Sequence, residues 1–142
     1  MVKLVICKGI PGSGKSTWAR SMVDSDPTWK RVNRDDLRAI LGYGDGKFDP
    51  KVEKIVVKTE EFLVQSLTEK GYNVIVDDTN VNPKTLETWK TFGKNLGLDV
   101  EEKLFDTPLE ECIKRNNLRT GKAKVPEFVI KQMWEKLHGS SN

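Results

Sequence analysis

The chain has 142 residues, enough for one domain with a single core and no need of disulfide or metal staples. Its 24 Lys and Arg stand against 21 Asp and Glu, a net charge of +3, so overall basicity is excluded as an argument for nucleic acid and only local clusters can make that case. No apolar run approaches the length of a membrane span, so no membrane partner is expected.

The first apolar run, Leu4-Val5-Ile6-Cys7, predicts a strand, and Trp18 to Val23 predicts a helix. Between them lies Gly9-Ile10-Pro11-Gly12-Ser13-Gly14-Lys15-Ser16-Thr17. A strand, a glycine-rich turn and a helix form the context of a phosphate-binding loop. Gly9, Gly12 and Gly14 let successive N–H groups turn inward, and the helix N-terminus adds partial positive charge. A di- or triphosphate is therefore expected here, with Lys15 reaching the β- and γ-phosphates and the Ser16 hydroxyl ligating Mg²⁺.

Trp29 to Asn33 predicts a short second strand. Leu37, Ile40 and Leu41 then recur at helical spacing over Arg34 to Leu41, with Asn33 as N-cap and Asp35 and Asp36 complementing the dipole. Gly42-Tyr43-Gly44-Asp45-Gly46 predicts a mobile loop. From Pro50 to about Lys70, Val52, Ile55, Val56, Phe62, Leu63 and Leu67 mark the buried stripe of a long amphipathic helix, ended by Gly71.

Tyr72 to Asp77 reads as a strand buried on both faces, followed by Asp78-Thr79-Asn80. Asn82-Pro83 opens a helix to about Leu96. Val100 to Phe105 is a less apolar fourth strand, and Asp106-Thr107-Pro108 leads into a helix ending near Asn116. The loop Leu118 to Val125 precedes a last helix from Pro126 to about Leu137, where His138 is expected to face solvent. Gly139 to Asn142 reads as a frayed tail. Cys7 and Cys112 form no metal-ligand spacing and read as reduced core residues of a cytoplasmic protein.

This alternation predicts an α/β fold in which a four-stranded parallel sheet carries helices on both faces. Ligands bind at the carboxyl ends of such strands, which gathers the phosphate loop, residues 33–36, residues 77–80 and Asp106 on one edge. There Asp35 could take a proton from an attacking hydroxyl, and Arg34 and Arg38 could hold an anionic substrate. Asp35 and Arg38, three apart, share a helix face; an acidic first turn with a local ion pair accounts for them equally well. Asp78 suits a carboxylate that orders Mg²⁺, although Asp77 could take its place, and an Asx turn into the Pro83 helix is the plainer reading of both. Basic charge concentrates in Lys114, Arg115, Arg119, Lys122 and Lys124. A solvated helix end explains the first two, whereas Arg119 fits a lid arginine closing over phosphates. Trp18, Trp89 and Trp134 read as packing residues.

At these residues the chain resembles the 5′-kinase domain of bacteriophage-type polynucleotide kinases. The likeness rests on Gly9 to Arg20, Asn33 to Arg38, Asp78-Thr79-Asn80, Phe105-Asp106, Arg115-Asn116 with Arg119, and Val125-Pro126, in order along nearly the whole chain. It implies a P-loop kinase with a C-terminal helical lid at about residues 115–125, moving the γ-phosphate of ATP (or another NTP) to a 5′-hydroxyl end of DNA or RNA. Asp35 is then the general base, and Arg38 holds the phosphate next to the accepting nucleotide. Lys15, Arg115 and Arg119 join the loop residues Gly9, Pro11, Gly12, Ser13, Gly14, Ser16 and Thr17 on the donor. Ser16 and Asp78 serve the metal, Arg34, Asp78 and Thr79 line the acceptor side, and Val125 packs near the acceptor nucleoside. The setting implied is the cytoplasm of a bacterial or phage-infected cell.

The phage-type enzymes carry a following 3′-phosphatase domain with an Asp-x-Asp-x-Thr motif that has no counterpart here, so a kinase alone, or a piece of a longer enzyme, is expected. The segment from Gly42 to Phe48 matches no motif of that family. Two other readings fit the same loop: a kinase of small metabolites, and a nucleotide-gated ATPase that docks nucleic acid through its basic lid.

Overall fold

Parallel pairing is the first consequence of the strand–helix alternation: β1 (Lys3–Lys8), β2 (Trp29–Val32), β3 (Asn73–Val76) and β4 (Asp99–Leu104) form one sheet in the order β2-β3-β1-β4. The computed structural model describes residues 1–44 and 48–139, with the side chain of Lys122 left aside. Part of the predicted Gly42 to Gly46 loop (Asp45, Gly46) and most of the tail (Ser140 to Asn142) lie outside the described residues.

In the sheet centre, Leu4 pairs with Val74 and Ile6 with Val76. Alternation sends Leu4, Ile6, Val74 and Val76 to one face, where they pack with Val64, Leu86 and Trp89. Those last three come from α3 (Pro50–Glu69) and α4 (Pro83–Asn95). Val5, Cys7 and Ile75 point to the other face, where Ala19 of α1 (Lys15–Ser25) covers them. β4 is an edge strand, and its run Glu101-Glu102-Lys103 keeps that edge charged. A third cluster, Ile10, Val81, Cys112 and Ile130, ties the loops of the carboxyl edge to α5 (Leu109–Asn117) and α6 (Glu127–Leu137).

The helix starts follow local chemistry. The Asn33 side chain accepts from Asp36 N at 2.8 Å and starts α2 (Arg34–Ile40). Asp49 and Asn82 cap α3 and α4, each with proline in the first turn. Gly71, at φ +91°, follows the end of α3.

The stripe predicted on α3 needs correction. Its buried row is Val56, Glu60, Val64 and Thr68, spaced by four, while Ile55 and Phe62 are exposed. A packed helix presents its i, i+4 ridge, and here that ridge contains a fully buried carboxyl because an arginine of α2 meets it. His138 is exposed, as expected, and also makes contacts. Its ring lies 4.2 Å from that of Trp134, and Nε2 is 2.9 Å from Asp106 Oδ1, linking the end of α6 to the loop after β4.

Candidate active site at the carboxyl edge of the sheet

The loop between β1 and α1 is held by backbone and by the loop after β3. Gly9 N donates to Thr79 O at 2.9 Å, and the Asn80 amide donates to Cys7 O at 2.7 Å. Gly12 has φ +83°, and a Cβ there would lie 2.7 Å from Cys112 O, so only glycine fits under α5. Gly14, at φ +98°, turns the chain into α1. Ser13 is buried, Pro11 is half-buried, and Thr17 is exposed on the first turn of α1. Thr107 Oγ1 donates to Ser13 O at 2.8 Å, anchoring the loop after β4 beside it.

Lys15 is buried, and its Nζ donates to Ile10 O at 3.0 Å. Burial pushes its pKa below the usual lysine value; nearby Asp77 opposes that shift, and the Arg119 charge adds to it. Arg119 is therefore within electrostatic reach of Lys15. Arg115 NH1 donates to Gly12 O at 3.0 Å, which lays a second guanidinium on the loop. Both arginines come from the end of α5 and the turn after it, so one short segment brings two cations to the loop between β1 and α1.

Asp77, rather than Asp78, faces the first turn of α1. Ser16 Oγ donates to Asp77 Oδ2 at 2.8 Å, and Arg31 Nε donates to the same oxygen at 2.7 Å. Asp77 Oδ1 is buried without a partner. A hydroxyl beside a buried carboxylate with one spare oxygen suits Mg²⁺ in a phosphate loop, where the nucleotide supplies further oxygens. Among the described residues no group of three or more His, Cys, Asp or Glu could by itself hold a metal ion.

Asp78 turns instead toward α2. Its Oδ1 accepts from Arg34 N at 2.9 Å, and Oδ2 lies 3.7 Å from Arg34 Nε. Asn33 donates its side-chain amide to Asp77 O, so the start of α2 is tied to the end of β3 twice. From that start Asp35 projects with 85 % of its side chain exposed, paired at 2.7 Å with Arg38 NH1. Arg38 is gripped from the other side by Glu53 of α3, at 2.6 Å through NH2 and 3.1 Å through Nε. Glu53 is the chief reason the Arg38 guanidinium holds its proton more tightly than usual. Val125 is half-buried against the Ile10–Val81–Cys112–Ile130 cluster, with its backbone N–H and C=O both bonded to the Asn116 side chain.

Sequence reasoning missed Arg31, Glu53 and Glu60. Glu60 alone carried a signal, being a charged residue at four-residue spacing in an otherwise apolar and threonine row. Neither cysteine is a nucleophile candidate: burial first, then Asp77, pushes the Cys7 thiol up to about 12, and burial also raises Cys112.

A family model described as an AAA domain (AAA_33) matches residues 4–140. A putative bifunctional polynucleotide kinase/RNA ligase of Autographa californica nuclear polyhedrosis virus is 30% identical over 94% of this chain and 20% of its own length. A 5-hmdU DNA kinase 1 of Salmonella phage ViI is 29% identical over 98% of this chain and 69% of its own. A chain in a structure of the Pnkp1/Rnl/Hen1 RNA repair complex superposes with a TM-score of 0.87 at 36% identity, covering 99% of this chain and 45% of that one. This chain thus spans a fifth of the viral relative and under half of the solved one.

Proposed function

The chain belongs to the AAA-domain family matched over residues 4–140 and has the P-loop kinase fold, and from that premise we propose that it is an ATP-dependent polynucleotide 5′-hydroxyl kinase. The single observation that carries this reading is the placement of Asp35. Its exposed carboxylate stands beside Arg38 at the start of a helix bonded to Asp77 and Asp78, the edge that also receives Ser16.

In the reaction, the 5′-oxygen forms a bond to the γ-phosphorus while the bond from that phosphorus to the β–γ bridging oxygen breaks, releasing ADP. Asp35 takes the hydroxyl proton, a role that contributes about 10²–10⁴ in rate. Lys15 and Arg119 neutralise charge on the transferring group, and Arg115 holds the loop. Arg38 and Arg34 bind acceptor phosphate, Asp78 and Thr79 line the acceptor side, and Val125 borders the acceptor nucleoside. Ser16 directly, and Asp77 through water, would hold Mg²⁺, which supplies charge neutralisation on the donor phosphates.

The test is transfer of labelled γ-phosphate from ATP to a 5′-hydroxyl oligonucleotide beside a 5′-phosphorylated control of the same sequence. Label on the hydroxyl end alone is the expected result. No label, or equal label on both, overturns the reading. Acceptor KM that rises steeply with salt would further mark a polyanionic substrate against a small metabolite.

A further inference from the structure

We propose that Glu60 is a positioning residue for the acceptor half of the site, acting through Arg34 and Asp78; the inference rests on the kinase reading above. The α2 and α3 helices present a ladder of two Arg–Glu pairs running in opposite chain directions. Arg38 of α2 meets Glu53 of α3, and Arg34, one turn earlier on α2, meets Glu60, two turns later on α3. The two rungs are not equivalent. Glu53 retains 20% side-chain exposure, whereas Glu60 retains none.

Glu60 Oε1 accepts from Arg34 Nε at 2.7 Å, a contact that leaves the two terminal nitrogens of the guanidinium outside it. Those nitrogens form the fork suited to a phosphate. Glu60 Oε2 and Asp78 Oδ2 are both buried without a donor, and the two carboxyls bond each other once one of them carries a proton. Burial first, then Asp78, pushes the Glu60 carboxyl well above its ordinary range. One buried group thus sets the direction of a guanidinium and of a carboxylate at the acceptor edge.

Packing alone does not call for a carboxyl here. The neighbours in its row are Val56, Val64 and Thr68, and an apolar side chain of similar volume would avoid the cost of burying a polar group. What the acid does and an apolar residue would not is touch Arg34 and Asp78 at once, which orients both.

The experiment compares Glu60→Gln, Glu60→Asp and Glu60→Met in the full chain, with KM for a 5′-hydroxyl oligonucleotide, KM for ATP and melting temperature for each. The amide of Glu60→Gln can accept from Arg34 and donate to Asp78, so its acceptor KM should stay within about threefold of wild type. Glu60→Asp is one methylene too short to reach both groups, and Glu60→Met offers neither bond. Each should raise acceptor KM by roughly tenfold or more while ATP KM moves less than about twofold. Glu60→Met strands Arg34 Nε and should melt lower than wild type, so the readout that separates positioning from a structural role is the split between acceptor KM and ATP KM. Unchanged acceptor KM in Glu60→Asp and Glu60→Met, or equal rises for both substrates, overturns the inference. If Glu60→Met does not fold, Glu60→Asp against Glu60→Gln decides in the same way. Wild-type protein that labels no 5′-hydroxyl end would sink the kinase reading instead, an outcome separate from these.

Discussion

Ser16 Oγ and Asp77 Oδ2, 2.8 Å apart, join the first turn of α1 to the end of β3 across sixty-one residues of sequence. The same oxygen takes a bond from Arg31, so Asp77 is aimed by two donors, one from α1 and one from β2. Its second oxygen is buried and unpartnered, the acceptor site that a metal-bound water would use under the proposed function.

Asp77→Asn should therefore weaken apparent Mg²⁺ affinity by roughly 10–100-fold, the usual cost of losing an outer-sphere partner. A Mg²⁺ titration of phosphoryl transfer measures it. Asp78→Asn, by contrast, should leave the Mg²⁺ midpoint in place and raise acceptor KM. A shifted midpoint in Asp78→Asn alone would return the metal role to that residue.

The proposed general base has a different signature. Asp35 is exposed and its pairing with Arg38 is worth only about 0.2–1 kcal/mol as a surface ion pair, so Asp35→Asn should melt close to wild type. Its kcat should fall by about 10²–10⁴ while ATP KM stays nearly constant. Near-normal turnover in Asp35→Asn would place the base elsewhere.

Acid should loosen the grip on Arg38. The Arg38 hydrogen bond holds the Glu53 carboxyl below its ordinary 4.5, so the folded state binds its proton later than the unfolded state does. The stabilisation is then fully present above pH 4.5 and disappears as pH falls through the lower folded value. Between about pH 5 and about pH 3 the wild type should lose more melting temperature than Glu53→Gln does. Parallel curves for the two proteins would show that the pair contributes nothing.

Gly93 tests the packing of α4 on the sheet. Alanine in mid-helix ordinarily gains about 0.5–1 kcal/mol over glycine. Here the added Cβ would lie 2.6 Å from Val100 Cγ2 and 2.9 Å from Leu4 Cδ2. Overpacking of that kind costs about 1–3 kcal/mol, so the clash should win and Gly93→Ala should melt lower in a thermal scan. A higher melting temperature would mean that Val100 and Leu4 shift freely.

The local order of this protein was legible from its residues alone. Strand–helix alternation, the Gly-Ser-Gly-Lys-Ser turn, the Asn33 and Pro83 helix starts and the i, i+3 pairing of Asp35 with Arg38 are all set by neighbours within a few residues, where backbone sterics and side-chain reach act directly. Partners far apart in the chain could not be read that way. The choice of Asp77 over Asp78 depends on which carboxylate β3 turns toward α1. The burial of Glu60 depends on an arginine twenty-six residues earlier, on the neighbouring helix. Hydrophobic periodicity counts an acid as surface, and only the packing of α2 against α3 supplies the opposing charge that makes burying one tolerable.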